Sequence, residues 1–175
     1  MDTAGWDHVP QQVSTGALPG WRDVERLVGD AHARFARDSD GIVADYIPVL
    51  AEADPELFGL AVIEVGGGVH DAGDAQHPFS IQSISKMFVY ALAIQEHGHE
   101  RVREIVGVNN TGLPFNSVMA LELNAGHPMN PMVNAGAIAT TALMPGETSA
   151  EQWERVREGL TAFAGRALGL DGVVY

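Results

Sequence analysis

The stretch Ser83-Ile-Ser-Lys86-Met-Phe-Val-Tyr-Ala-Leu-Ala-Ile-Gln95 is apolar on nearly every side after Lys86. A helix without a polar face belongs inside a protein rather than on its surface. The segment therefore predicts a central, wholly buried helix around which the rest must pack, with Gly98 placed to end it. A chain of 175 residues, 46% hydrophobic and 19% charged, is long enough to bury such a core and lies far from disordered composition.

Around this helix the sequence divides into recognisable pieces. Trp21, Val24, Leu27, Val28, Ala31 and Phe35 recur at helical spacing until Asp40-Gly41 stops the pattern. Val43 to Pro48 reads as an extended loop, followed by a short helical turn to Ala53. Phe58 to Val65 predicts a strand, Gly66 to Gly68 permit a sharp reversal, and Val69 to Gly73 return as the second strand of a hairpin. Residues 107–131 predict an irregular connection with a short helix around Val118–Leu123. Asn134 to Met144 predicts a second buried helix closed by Pro145-Gly146. Ser149-Ala-Glu-Gln152 fits a capping box, and Trp153, Val156, Leu160 and Phe163 mark one face of the helix it opens. Residues 1–20 read as a flexible lead-in. Leu170 to Tyr175 stops in apolar residues, as a broken-off end or a last short strand would.

Several function classes are excluded by composition. A formal charge of −13 argues against a nucleic-acid partner, which needs a basic stripe. The absence of cysteine rules out disulfides and thiolate zinc sites. Met1-Asp-Thr-Ala4 lacks a signal-peptide start, and no apolar run is long enough to span a bilayer, so a soluble cytoplasmic protein is expected. His97-Gly-His99-Glu100 has no second cluster at ligand spacing. His70, His77 and His127 are scattered, so all are read as surface or packing histidines, and no metal or cofactor is expected. Gly66-Gly67-Gly68 is not a phosphate loop, because no Lys-Ser/Thr follows.

The chemistry-bearing candidate is Ser83-Ile84-Ser85-Lys86. Residues three apart on a helix are neighbours about one turn apart, which brings the Lys86 amine within reach of the Ser83 hydroxyl. Serine attacks only once a base takes its proton, and lysine is a useful base only when burial disfavours its charged form. The apolar residues after Lys86 would supply that desolvation. A plain reading competes: Ser83 as a helix cap and Lys86 as a solvated first-turn lysine. A strand pair before the motif and a buried helix after it favour the active-serine order of the penicillin-binding and β-lactamase class.

Three longer segments, Gly41-Ile-Val-Ala-Asp-Tyr-Ile-Pro48, Phe79-Ser-Ile-Gln-Ser-Ile-Ser-Lys-Met-Phe88 and Asn130-Pro-Met-Val-Asn-Ala-Gly-Ala-Ile138, resemble signature segments of the bacterial-type serine-dependent glutaminases. The resemblance runs from about Asp40 to the end. It implies an α+β chain with a partial β-lactamase-like (DD-peptidase-like) fold, antiparallel strands packed with a helical layer. Residues 21–175 would form the N-terminal portion of a glutaminase domain. It implies Ser83 as nucleophile and Lys86 as general base. Tyr46, Gln82 and Asn134 would bind L-glutamine or position the reacting groups, in a family of homo-oligomers. Two of the last three also have a plain reading, Tyr46 as a packed loop aromatic and Asn134 as a helix cap. Ile42 departs from the polar residue common at its position. By the same resemblance, family members continue further and supply a glutamate, an asparagine, two tyrosines and an oxyanion-hole N–H, so the chain is expected to be C-terminally truncated.

The expected activity is hydrolysis of L-glutamine to L-glutamate and ammonia through an acyl-serine. One alternative is a penicillin-binding or β-lactamase-like acylating enzyme, although no Lys-Thr-Gly-type element is recognisable. The other is a catalytically dead fragment acting as an interaction module.

Overall fold

A computed structural model describes residues 19–172. The lead-in, apart from its last residues, and the final Val173-Val174-Tyr175 lie outside them. The described residues fall into two compact units, one ending at Pro78 and the other starting at Phe79.

The first unit is a helix on a hairpin. Helix α1 covers Trp21–Phe35, the predicted span, and turns Val24, Val28, Ala31 and His32 inward while Leu27 and Phe35 stay exposed. A short helix α2, Pro48–Ala51, opens on a proline at its first position, where the missing N–H costs nothing. Strands β1 (Gly59–Ile63) and β2 (Val69–Gly73) pair antiparallel, with Leu60 opposite Ala72 and Val62 opposite His70. Gly67, at φ +87°, turns the chain between them, and Glu64 and Gly68 close the turn through an N–H to carbonyl bond of 2.8 Å. The period of two puts Leu60, His70 and Ala72 on one face, against which α1 packs. His70 is 3% exposed, bonded to Glu64 at 2.8 Å, with its ring 5.1 Å from that of Trp21.

The second unit is helical. A 3-10 turn at Gln82–Ile84 leads into α3, Ser85–His97. Gly98 (φ +77°) then bends the chain into α4, His99–Ile105, which sequence periodicity had not separated. A loop carries α5, Met119–Glu122, and returns to α6, Asn134–Ala142, and α7, Ser149–Ala164. Helix α3 packs on α4, α6 and α7, and Val89, Met144 and Val156 form the buried centre with Leu92 and Leu160 against it. His97 donates from Nε2 to the Leu143 carbonyl at 2.6 Å.

Two expectations need correction. The stretch Ser83–Gln95 is not buried all round: Val89 and Ala93 are inside, but Ile84, in the 3-10 turn, and Met87, in α3, are 44% and 50% exposed. Helices α4, α6 and α7 cover one side of it, and composition alone carries no information about which sides acquire neighbours. The capping box is also one residue earlier than expected. Thr148, not Ser149, caps α7, its hydroxyl accepting from Glu151 N at 3.3 Å while the Glu151 carboxylate accepts from Thr148 N. Both frames fit the capping pattern. The earlier one prevails because the Gln152 side chain is engaged elsewhere, donating from Nε2 to the Met144 carbonyl at 3.0 Å.

Candidate active site

Ser83 lies in the 3-10 turn, on the surface, one residue after a strained position. Gln82 has φ +43°, a left-handed conformation that a residue with a Cβ adopts at a cost of about 1–3 kcal/mol. Neighbouring hydroxyls hold that conformation. Ser85 donates to the Gln82 carbonyl at 2.7 Å, and Gln82 Nε2 donates to Ser80 Oγ at 3.0 Å. Of the three local serines, Ser80 and Ser85 are thus engaged. Ser83 makes no hydrogen bond with its hydroxyl among the described residues, and it is not the cap of α3, whose cap position is Ile84.

Lys86 is the only lysine in the sequence; the other nine basic residues are arginines. Its stem is half-buried. Its amine donates to two oxygens, the Asn134 Oδ1 at 2.7 Å and the Met132 carbonyl at 3.1 Å. It also lies 5.7 Å from the centroid of the Phe115 ring. The plain reading of a freely solvated lysine does not hold. Nor is the amine set among purely apolar groups, because α3 is half-exposed and two oxygens meet the nitrogen. No hydrogen bond joins Lys86 to Ser83 among the described residues.

Asn134 is presented by the start of α6. The helix cap is Val133, which is extended and gives no side-chain bond, so the Asn134 side chain is left for Lys86. The backbone N–H of Asn134 is fixed at 2.8 Å by the Phe115 carbonyl. Met132 is positioned by Asn130, whose Oδ1 accepts from Met132 N at 2.8 Å in an Asx turn. Asn130 Nδ2 reaches back to the Asn109 carbonyl at 3.1 Å. Gly136 lets the segment lie this close to α6, because a Cβ there would strike the Asn130 carbonyl.

An open groove of about 520 Å3 is lined by Gln82, Ser83 and Lys86 together with Ile138, Thr141 and Gln152. Ser83, Lys86, Gln82 and Asn134 therefore share one unit. Tyr46 belongs to the other unit, in the extended segment before α2, and is 72% exposed rather than packed. Phe115, the Met132 carbonyl and Asn130 were not singled out as site residues from the sequence. Asn130 opens one of the three signature segments, and nothing in local periodicity marks Phe115.

A free serine hydroxyl on a strained turn, with one lysine and an asparagine amide beside it, suits acyl transfer. Comparison with known proteins decides which kind. The glutaminase family model matches residues 41–175. The chain belongs to the glutaminase family. "Glutaminase 2" of Yersinia pestis is 48% identical over 163 residues, covering 93% of this chain and 48% of that protein. "Glutaminase" of Colwellia psychrerythraea (strain 34H / ATCC BAA-681) is 45% identical over 152 residues, covering 87% of this chain and 49% of that one. Among solved structures, "Probable glutaminase ybaS" superimposes with a TM-score of 0.79 at 40% identity, over 82% of this chain and 46% of that one. Mglu in its glutamate form does so with a TM-score of 0.75 at 38% identity, over 87% and 35%. The chain spans about half the length of the curated relatives it matches. As in these glutaminases, the fold is α+β and β-lactamase-like, here with a two-stranded antiparallel sheet and a helical layer.

Proposed function

We propose that this chain carries the Ser–Lys part of a glutaminase active site, with L-glutamine as substrate and L-glutamate and ammonia as products. Residues 21–175 would be the N-terminal portion of the glutaminase domain. The observation that supports this best is the seating of the chain's sole lysine, one turn from Ser83, on Asn134 Oδ1 and the Met132 carbonyl. A neutral amine has two N–H bonds and one lone pair. Acting as a base, Lys86 would keep two N–H bonds on these oxygens and take the Ser83 proton on its lone pair.

In this reading Lys86 takes the Ser83 proton as the Oγ attacks the side-chain amide carbon of glutamine. The C–N bond then breaks, and the proton held by Lys86 passes to the leaving nitrogen, which departs as ammonia. Water attacks the γ-glutamyl ester, giving glutamate and restoring the Ser83 hydroxyl. Gln82 and Asn134 offer amide groups that match an amide substrate, and Tyr46 offers a phenol for proton transfer. Mglu being described in its glutamate form supports a product of this class. No helix among the described residues is long and apolar enough to cross a membrane. The reading places the protein in the cytoplasm as a homo-oligomer.

Ammonia release from L-glutamine by the whole chain tests the proposal, with Ser83→Ala as control. Release that depends on the Ser83 hydroxyl supports it. Equal release without the hydroxyl would refute the mechanism. A cooperatively folded chain that releases none would point to the interaction-module reading.

A further inference from the structure

We propose that Phe115 is a positioning residue whose ring face receives the third N–H of Lys86 when the amine carries a proton. This rests on the reading of Lys86 as the base for Ser83. Two facts single out Phe115. Its carbonyl fixes the Asn134 N–H at 2.8 Å, and its ring centroid lies 5.7 Å from Lys86 Nζ, inside the range where an ammonium ion is drawn to the negative face of an aromatic ring. One residue thus sets both the acceptor Asn134 and the cation it serves.

The count of donors explains why a ring is useful there. Met132 O and Asn134 Oδ1 accept two of the N–H bonds of the amine. Protonation adds a third N–H, and no carboxylate pairs with Lys86 among the described residues. The remaining polar groups near the amine on the groove wall are uncharged: Gln82, Ser83 and Ser85. A carboxylate in the place of the ring would hold the proton too firmly for it to pass on to the leaving nitrogen. A π face attracts the cation more weakly, and so stabilises the ammonium that forms during attack without trapping it.

The single lysine makes the test clean. The chain grown with 13C-labelled lysine gives one ε-methylene signal, from Lys86, and its pH titration reports how firmly the ammonium is held. Phe115→Leu keeps the backbone carbonyl and apolar bulk but removes the ring. Its titration should move to lower pH, while Phe115→Tyr matches the parent and Phe115→Trp moves the other way. If ammonia is released, Phe115→Leu should lower kcat about threefold with KM unchanged. Coincident titrations for the parent, Leu and Trp forms overturn the inference, as does a Tyr form that behaves like Leu. Should Phe115→Leu fail to fold, the Tyr and Trp forms decide alone. A parent chain that releases no ammonia but shows the titration shifts would refute the glutaminase reading of this chain and leave the ring's role standing. Ammonia release with unmoved titrations would do the reverse.

Discussion

Lys86 Nζ and Asn134 Oδ1 are 2.7 Å apart across two helices, although the residues stand 48 positions apart in the chain. This bond ties the start of α6 to the first turn of α3 and fixes the direction of the amine. Replacing Asn134 with leucine removes the acceptor while keeping the volume. Ammonia release should fall about 100-fold, a typical contribution for one positioned acid–base partner. The thermal midpoint should move little, because a solvent-exposed hydrogen bond contributes only about 1 kcal/mol. A loss of activity matched by a large loss of stability would instead make Asn134 a structural residue.

Gly136 carries a sharper structural prediction. A methyl group there meets the Asn130 carbonyl, a backbone atom that cannot swing aside. Gly136→Ala should therefore lower stability by about 1–3 kcal/mol, the ordinary range for overpacking, despite the better helix propensity of alanine. Urea denaturation checks this. An unchanged or raised midpoint would show that the Asn130–Asn134 segment is free to move.

The two capping frames of α7 can be separated by substitution. Thr148→Ala should cost about 1 kcal/mol, and Ser149→Ala close to nothing, read from the same denaturation midpoints. The opposite ranking would restore the later frame.

Glu154 tests the electrostatics of α7. Its side-chain hydrogen bond to Arg157 holds its carboxyl below the ordinary value of 4.5. A carboxylate lowered in the folded state stabilises above its unfolded value, and that stabilisation is lost as acid protonates it in the fold. The thermal midpoint of the parent should exceed that of Glu154→Gln slightly at pH 7, and the difference should shrink as pH falls below 4.5 and be lost once acid protonates the carboxyl in the fold. The effect is small because the pair is fully exposed. A difference that persists at low pH would assign it to packing.

Elements with local signals were legible from the sequence. The apolar spacing of Trp21 to Phe35 marks the extent of α1, although Trp21, Leu27 and Phe35 are exposed, and the glycines after Glu64 make the hairpin turn. Ser83 and Lys86 could be picked out because three positions define one helical turn. What stayed hidden depends on distant parts of the chain. Thr148 and Ser149 fit the same pattern, and only the use of Gln152 by the Met144 carbonyl selects between them. The apolar run after Ser83 could not reveal that Ile84 and Met87 lie outside. Asn134 was reached through the resemblance of its segment, and Phe115 not at all, since its role exists only once Lys86 is laid across it.

The most direct measurement is acid quenching of the chain during incubation with L-glutamine, followed by peptide mass mapping. A γ-glutamyl ester on Ser83 is predicted, absent in Ser83→Ala and from peptides lacking Ser83. A chain that releases ammonia while its acyl group sits on Ser80 or Ser85, or nowhere, would contradict Ser83 as the nucleophile.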